Sequence, residues 1–257
     1  MGFRIREEQT RVARFLHLES GDGAAVVLSP SHGGTVVQVT LQGSGAPVAL
    51  LAPDAPEDFA RNPLFRGRLL FPWNDRIPLA RYAFRGVEHR LVANAPDGSA
   101  IHGLIHDRPL AVTDLRADGE MAAVTLRASL SGDDPGYPFR VSLVVAYELR
   151  AGEFTMTFRV TNDGDCDAPF ALGWHPYFAA SVGATLQGAF GRFVEVDSAL
   201  LPTGRVPDVR GGPFDFSDGA PFGPGLDIGL SAPADGCVRL HTGRCTVTIR
   251  QDVSLFP

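Results

Sequence analysis

Three neighbouring stretches alternate apolar and polar side chains with a period of two, and no other pattern in the chain constrains its fold so tightly. Val124, Leu126, Ala128 and Leu130 alternate with Thr125, Arg127 and Ser129. Val141, Leu143, Val145, Tyr147 and Leu149 share one face of the next stretch, and Phe154, Met156, Phe158 and Val160 alternate with Thr155, Thr157, Arg159 and Thr161 in the third. Successive side chains of an extended chain point to opposite faces, so each stretch offers one face to a core and the other to water. A helix would scatter the same residues around its circumference. The pattern reads as three half-buried strands.

The remainder of the chain is punctuated in the same way. Residues 24–41 hold two short apolar runs split by Ser29-Pro30-Ser31-His32-Gly33-Gly34, which reads as two strands and a tight turn. Residues 52–62, rich in Pro and Asp, read as a loop or a single helical turn. Tyr82, Phe84 and Val87 around Arg85-Gly86 indicate a hairpin, and a turn at Pro96-Asp97-Gly98 precedes IHGL. A short strand is expected at residues 193–196, then a Pro/Gly-rich run over 201–224, then a hairpin pairing 238–240 with 245–249 across Thr242-Gly243. With 29 Gly and 20 Pro between short strands and no long amphipathic helix, an all-β antiparallel sandwich is favoured over an α/β fold. No repeat and no shift in composition marks a boundary, so residues 1–257 are expected to form a single domain.

Composition narrows the function classes. Hydrophobic residues make up 44% of the chain, enough for a sizeable core. The formal charge of -6 comes without a dense block of Lys and Arg, which argues against nucleic acid or an anionic membrane as partner and favours a small, neutral or modestly charged ligand. The three cysteines, Cys166, Cys237 and Cys245, are odd in number and lack C-x-x-C spacing, so neither a disulfide framework nor a zinc knuckle is indicated. The first eighteen residues contain Arg4, Arg6, Glu7, Glu8, Arg11 and Arg14 without an apolar run of signal length, and no later window approaches a membrane span. A soluble cytoplasmic protein, monomer or homodimer, is expected.

Four polar residues occupy unusual settings. His175 lies in Gly173-Trp174-His175-Pro176-Tyr177-Phe178, where the following proline holds its backbone extended and aromatics crowd its ring. It can be a general acid or base, since an imidazole titrates near about pH 6.5, or a satisfied core residue. His102 and His106 stand at i and i+4, but Gly103 and the β context oppose a helix, and on a strand the two rings would share a face. No third ligand follows, so a substrate-binding or catalytic His102 is favoured over a metal site, and no metal or cofactor is expected. Arg76 follows Trp73-Asn74-Asp75 and reads either as an ion pair with Asp75 or another carboxylate, or as a fork of donors for sugar hydroxyls beside an aromatic face. Trp174 and Tyr177 offer further aromatic faces for substrate. Asp227, in a Gly-rich loop, can form an Asx-turn or accept two hydroxyl hydrogens from a vicinal diol.

Together these motifs resemble a family. The order PWNDRIPLARYAFRG, IHGL, GWHPYF and then Leu226-Asp227 is similar to the aldose 1-epimerase (galactose mutarotase) family, from about Gly33 onward. The resemblance implies an antiparallel β-supersandwich, galactose mutarotase-like, that interconverts the α and β anomers of a free aldose without a cofactor. It implies that His175 is the general acid, His102 a second active-site histidine, and Arg76 and Asp227 sugar ligands. Asp75 occupies the place where the family commonly has Asn, with Asn74 one residue earlier, so both are candidate contacts. The family's base is a glutamate in a strand beyond a segment like Ser254-Leu255-Phe256-Pro257, and no glutamate follows Glu195. Three expectations stay open: Asp227, Asp75 or Asp252 as base, a sugar-binding chain without turnover, or a chain lacking the family's C-terminal strands. Arg66, Arg68 and Arg81 flank the first motif and leave open a hexose 6-phosphate as substrate, although solvated surface positions are expected for them.

Overall fold

A computed structural model describes residues 2–223 and 226–252. The chain divides into two compact units, Met1–Phe178 and Ala179–Pro257. The first contains two antiparallel sheets. One runs in chain order through Phe3–Gln9, Arg14–Ser20, Ala25–Ser29, Thr35–Gln42 and Pro47–Ala49. The other runs through Ala111–Ala117, Met121–Ser131, Arg140–Arg150 and Glu153–Asn162. The three alternating stretches are thus the last three strands of the second sheet. Their register sets Leu126 opposite Val145 and Val145 opposite Phe158, so apolar side chains line one face from strand to strand.

That face closes against the first sheet. Leu16, Leu18, Val26 and Leu28 join Val124, Leu126, Leu143 and Leu149 in one cluster that is almost wholly buried. Each such side chain contributes about 1.5–3 kcal/mol by leaving water. Tyr147 is the polar member of this core: its hydroxyl donates to the Gly34 carbonyl at 2.6 Å. Gly34 has φ +68, and a Cβ there would stand 2.5 Å from the Tyr147 hydroxyl oxygen. The Gly33-Gly34 pair therefore serves a close approach as well as a turn.

Short ladders gather the loops that carry the candidate site residues. Leu69–Leu70 pairs with Gly173–Trp174, Arg76–Ile77 with Ala100–Ile101, and Phe71 bridges Gly103. Around residues 55–62 the Pro/Asp-rich segment closes helical turns, with Phe59 N–H on the Ala55 carbonyl at 3.1 Å and Asn62 N–H on that of Asp58 at 2.9 Å. The hairpin Arg81–Phe84 and Val87–Arg90 turns at Arg85 and Gly86, both with positive φ.

The second unit holds a four-stranded antiparallel sheet in the order Ala220–Pro221, Thr185–Gly188, Cys237–His241, Thr246–Arg250, and a two-stranded pair, Phe193–Val194 with Gly229–Leu230. The expected strand at 193–196 is shorter by two residues, and residues 253–257, with the segment Ser254-Leu255-Phe256-Pro257, lie outside the described residues. Among the strands of the first unit that the sequence pattern does not announce are Phe3–Gln9, Arg14–Ser20, Pro47–Ala49 and Ala111–Ala117. Among the described residues, no helix is long and apolar enough to cross a membrane.

Gly67 and Gly86 separate two costs. Both have positive φ, but a Cβ at Gly67 would lie 2.0 Å from the Val36 carbonyl oxygen, whereas one at Gly86 would meet nothing within 4 Å. Gly86→Ala should lower stability by about 1 kcal/mol, from backbone strain alone, and Gly67→Ala by at least about twice that. Urea unfolding of both variants checks this; equal losses would contradict the close packing at Gly67.

Candidate active site

The site is assembled on a buried cation. Arg68 is fully buried, contrary to the surface position expected for it. Its guanidinium donates to the Asn62 side-chain oxygen at 2.9 Å, to the carbonyls of His32 at 3.4 Å and His106 at 3.3 Å, and to the Phe59 carbonyl, and it lies over the Phe59 ring. Burial draws its pKa down to about 10, so the charge persists at neutral pH. The backbone beside it receives the histidine motif. His175 N–H donates to the Arg68 carbonyl at 3.0 Å, and Gly67 N–H donates to the His175 carbonyl at 2.8 Å.

Alternation along the extended GWHPYF segment then separates its side chains. The Trp174 indole N–H donates to the Gly67 carbonyl at 3.2 Å, and its ring meets Phe154 and Phe178 edge-on. The half-buried indole is thus engaged in packing on these sides. His175 instead meets Tyr177 at 5.4 Å between ring centroids and His102 at 5.0 Å with the rings inclined by 62°.

His102 follows the short strand Ala100–Ile101 in a left-handed conformation, φ +66, which few residues other than glycine adopt. Its backbone N–H donates to the Asp75 carbonyl at 3.3 Å, and Nδ1 lies 3.2 Å from the Asn74 carbonyl. A carbonyl only accepts, so Nδ1 carries the hydrogen and the neutral ring presents Nε2 as an acceptor. Burial, then repulsion from His175, lowers the His102 pKa to about 4. The Phe65 ring, itself on a residue with positive φ, meets both His102 and His106 edge-on at 4.6 and 4.9 Å. Residues 103–108 form a loop rather than the strand on which the two rings were expected to share a face. His106 Nδ1 lies 3.5 Å from the Asn62 amide nitrogen, and burial lowers its pKa.

Arg76 pairs with Ile101 across the ladder, and its guanidinium forms an ion pair with Asp97. The ion-pair reading thus holds with a carboxylate other than Asp75. Asp97 also accepts the Ser99 N–H at 3.0 Å, and that bond first, with Arg76 adding to it, pulls its pKa below the usual carboxylate range. Asp75 accepts the Arg76 N–H at 2.7 Å, and Asn74 reaches the Leu172 carbonyl at 3.5 Å; both residues are exposed. The first unit therefore gathers Asn74, Asp75, Arg76, His102, His175 and Tyr177. Asp227 lies in the second unit, exposed, just ahead of the Gly229–Leu230 strand. The sequence does not single out Phe65 or Asp97, although Asp97 stands in a turn that it does announce, and it gives no sign that Arg68 is buried beneath the histidines.

The model of the aldose 1-epimerase family matches residues 14–252. The chain belongs to the aldose 1-epimerase family. Among curated relatives it is 32% identical to the uncharacterized protein YihR of Escherichia coli K12 over 64% of this chain and 50% of that one. It is 27% identical to galactose mutarotase of Sus scrofa, over 68% and 52%. The chain spans about half the length of the curated relatives it matches. Among solved structures, the galactose 1-epimerase of Lactobacillus acidophilus NCFM superposes with a TM-score of 0.75 at 22% identity, covering 93% of this chain and 76% of the other. A galactose mutarotase-like protein of Clostridium acetobutylicum gives 0.77 at 18%, covering 95% and 78%. The antiparallel β-supersandwich of this aldose 1-epimerase family member is the fold of those proteins.

The candidate site has a pH signature in the stability of its scaffold. His32, His102 and His106 all have lowered pKa values, burial being the first cause in each. An unfolded chain protonates these rings near about pH 6.5, before the folded protein does, so stability is full above that pH and is lost as pH falls toward about 4. His102 alone carries on the order of 3 kcal/mol of this dependence. Urea unfolding at pH 7 and pH 4.5 should show a smaller loss for His102→Gln than for the parent chain; equal losses would contradict a buried, neutral His102.

Proposed function

We propose that this chain binds a free aldose and interconverts its α and β anomers. The observation that carries the reading is the pairing of two imidazoles in one cluster, with His102 neutral and His175 fastened by its backbone against it. In the proposed reaction the anomeric hydroxyl loses its proton while the ring oxygen gains one, and the C1–O5 bond breaks to give the open aldehyde. Rotation about C1–C2 and the reverse transfers close the ring on the other face, so protons and bonds balance without a cofactor. His175 is the proton donor to the ring oxygen. Nε2 of His102, being an acceptor, takes a hydrogen bond from a sugar hydroxyl, and Arg76 with Asp97 offers donors and an acceptor side by side. Of the carboxylates put forward as base, Asp75 is the one within electrostatic reach of His102 in the first unit.

The charge pattern gives less support to the phosphate-ester alternative. Arg68 is enclosed by carbonyls, Arg66 is paired with Asp54 and Arg76 with Asp97. Of these flanking arginines, Arg81 alone is exposed without an ion pair among the described residues. A neutral sugar suits this charge pattern better than an anionic one. Three free cysteines among the described residues fit a reducing, cytoplasmic setting.

Polarimetry of freshly dissolved α-D-galactose and α-D-glucose tests the proposal. The chain should accelerate mutarotation above buffer, and His175→Asn should reduce that acceleration by roughly 10²- to 10⁴-fold while sugar binding persists in calorimetry. Binding without acceleration in the parent chain would make it a sugar-binding protein; acceleration unchanged in His175→Asn would remove His175 from the mechanism.

A further inference from the structure

Behind His175 stands an arrangement that the acid–base reading does not use. The Arg66 guanidinium carbon lies over the Tyr177 ring, 4.4 Å from its centroid, and Tyr177 in turn packs against the His175 imidazole at 5.4 Å. Arg66 is itself held from two sides: it donates to the Ala52 carbonyl at 3.0 Å, and its Nε lies 3.4 Å from a carboxylate oxygen of Asp54, whose side chain is only 4% exposed. The same Ala52 donates its N–H to the Tyr177 carbonyl at 2.7 Å, and Leu51 bridges Phe178. The contacts close a circuit in which residues 51–54 grip both the backbone of Tyr177 and the cation covering its ring.

We propose that Arg66 is a positioning residue for His175, acting through the ring of Tyr177, with Asp54 fixing Arg66 in place. The physical case has three parts. A tyrosine ring on an extended segment can turn about two side-chain torsions, and a guanidinium stacked on its face limits that freedom while tolerating the aromatic surface. An imidazole that must deliver a proton in line loses much of its effect if it tilts, so a wall fixing its plane bears directly on the chemical step. Finally, Arg66 is placed to support rather than to touch substrate. The cavity lined by Asp54, Arg66, Gly67 and Tyr177 measures about 10 Å³, room for a single water and far too little for a sugar.

This inference rests on His175 being the acid of the proposed reaction, and its test keeps the two apart. In the full chain labelled with ¹⁵N-histidine, Arg66→Met should shift the His175 imidazole resonances and alter their titration, whether or not the chain turns over. Wherever mutarotation is measurable, Arg66→Met should lower kcat by roughly 10- to 100-fold with KM within about twofold, and Arg66→Lys should recover part of the loss. Should Arg66→Met fail to fold, Asp54→Asn, which keeps the shape and releases Arg66, is judged on the same two readouts. A folded variant with unchanged His175 resonances overturns the proposal. So does a rise in KM with kcat intact, which would make Arg66 a substrate contact. Absence of mutarotation in the parent chain would instead count against the proposed function, and the resonances would still decide the role of Arg66.

Discussion

The arrangement of the histidine cluster depends on one buried positive charge. Arg68 is enclosed by three backbone carbonyls and the Asn62 amide oxygen, which come from separate stretches around residues 32, 59–62 and 106. A cation removed from water needs such oxygens, so those stretches cannot disperse without exposing an expensive unsatisfied charge. The backbone of the same arginine receives the N–H of His175, and Gly67 beside it receives the indole of Trp174 and holds the His175 carbonyl. One electrostatic requirement in the interior thus becomes a geometric constraint on the residue proposed as the acid. The glycine at 67 follows from it, because the chain passes too close to the Val36 carbonyl for any side chain.

The two histidines differ in what fixes them. His102 is defined by burial and by the Asn74 carbonyl, which assigns its tautomer and leaves an acceptor. His175 is defined by its backbone bonds and by the walls of Tyr177 and His102. In the proposed reaction the first would bind a sugar hydroxyl and the second would donate the proton to the ring oxygen. The guanidiniums of Arg66, Arg68 and Arg76 are each engaged by carbonyls or by a carboxylate.

Much of this was legible in the sequence where one face of a strand is apolar and the other polar. The strands Met121–Ser131, Arg140–Arg150 and Glu153–Asn162 follow the period directly. The strands Phe3–Gln9 and Arg14–Ser20 were missed because Arg4 and Arg6 pair with Glu19, and Arg14 with Glu7, so long charged side chains mask the β pattern. The motifs marked His102, Arg76 and His175 and their order. They could not show that His102 sits in a left-handed turn, that Trp174 turns into the packing, or that Asp97 reaches Arg76, because each depends on partners distant in the chain. Arg68 was read as a surface residue since an arginine is rarely fully buried, and only the closing of several loops supplies enough oxygens to hold one.

Placing a sugar between the two imidazoles is the central claim, and a crystal structure of the chain soaked with galactose tests it most directly. The account expects a pyranose in the first unit with a hydroxyl on Nε2 of His102, the ring oxygen within hydrogen-bond reach of His175, and Arg76 turned toward sugar hydroxyls. A sugar bound elsewhere, or a histidine cluster that stays empty at saturating galactose, would contradict it.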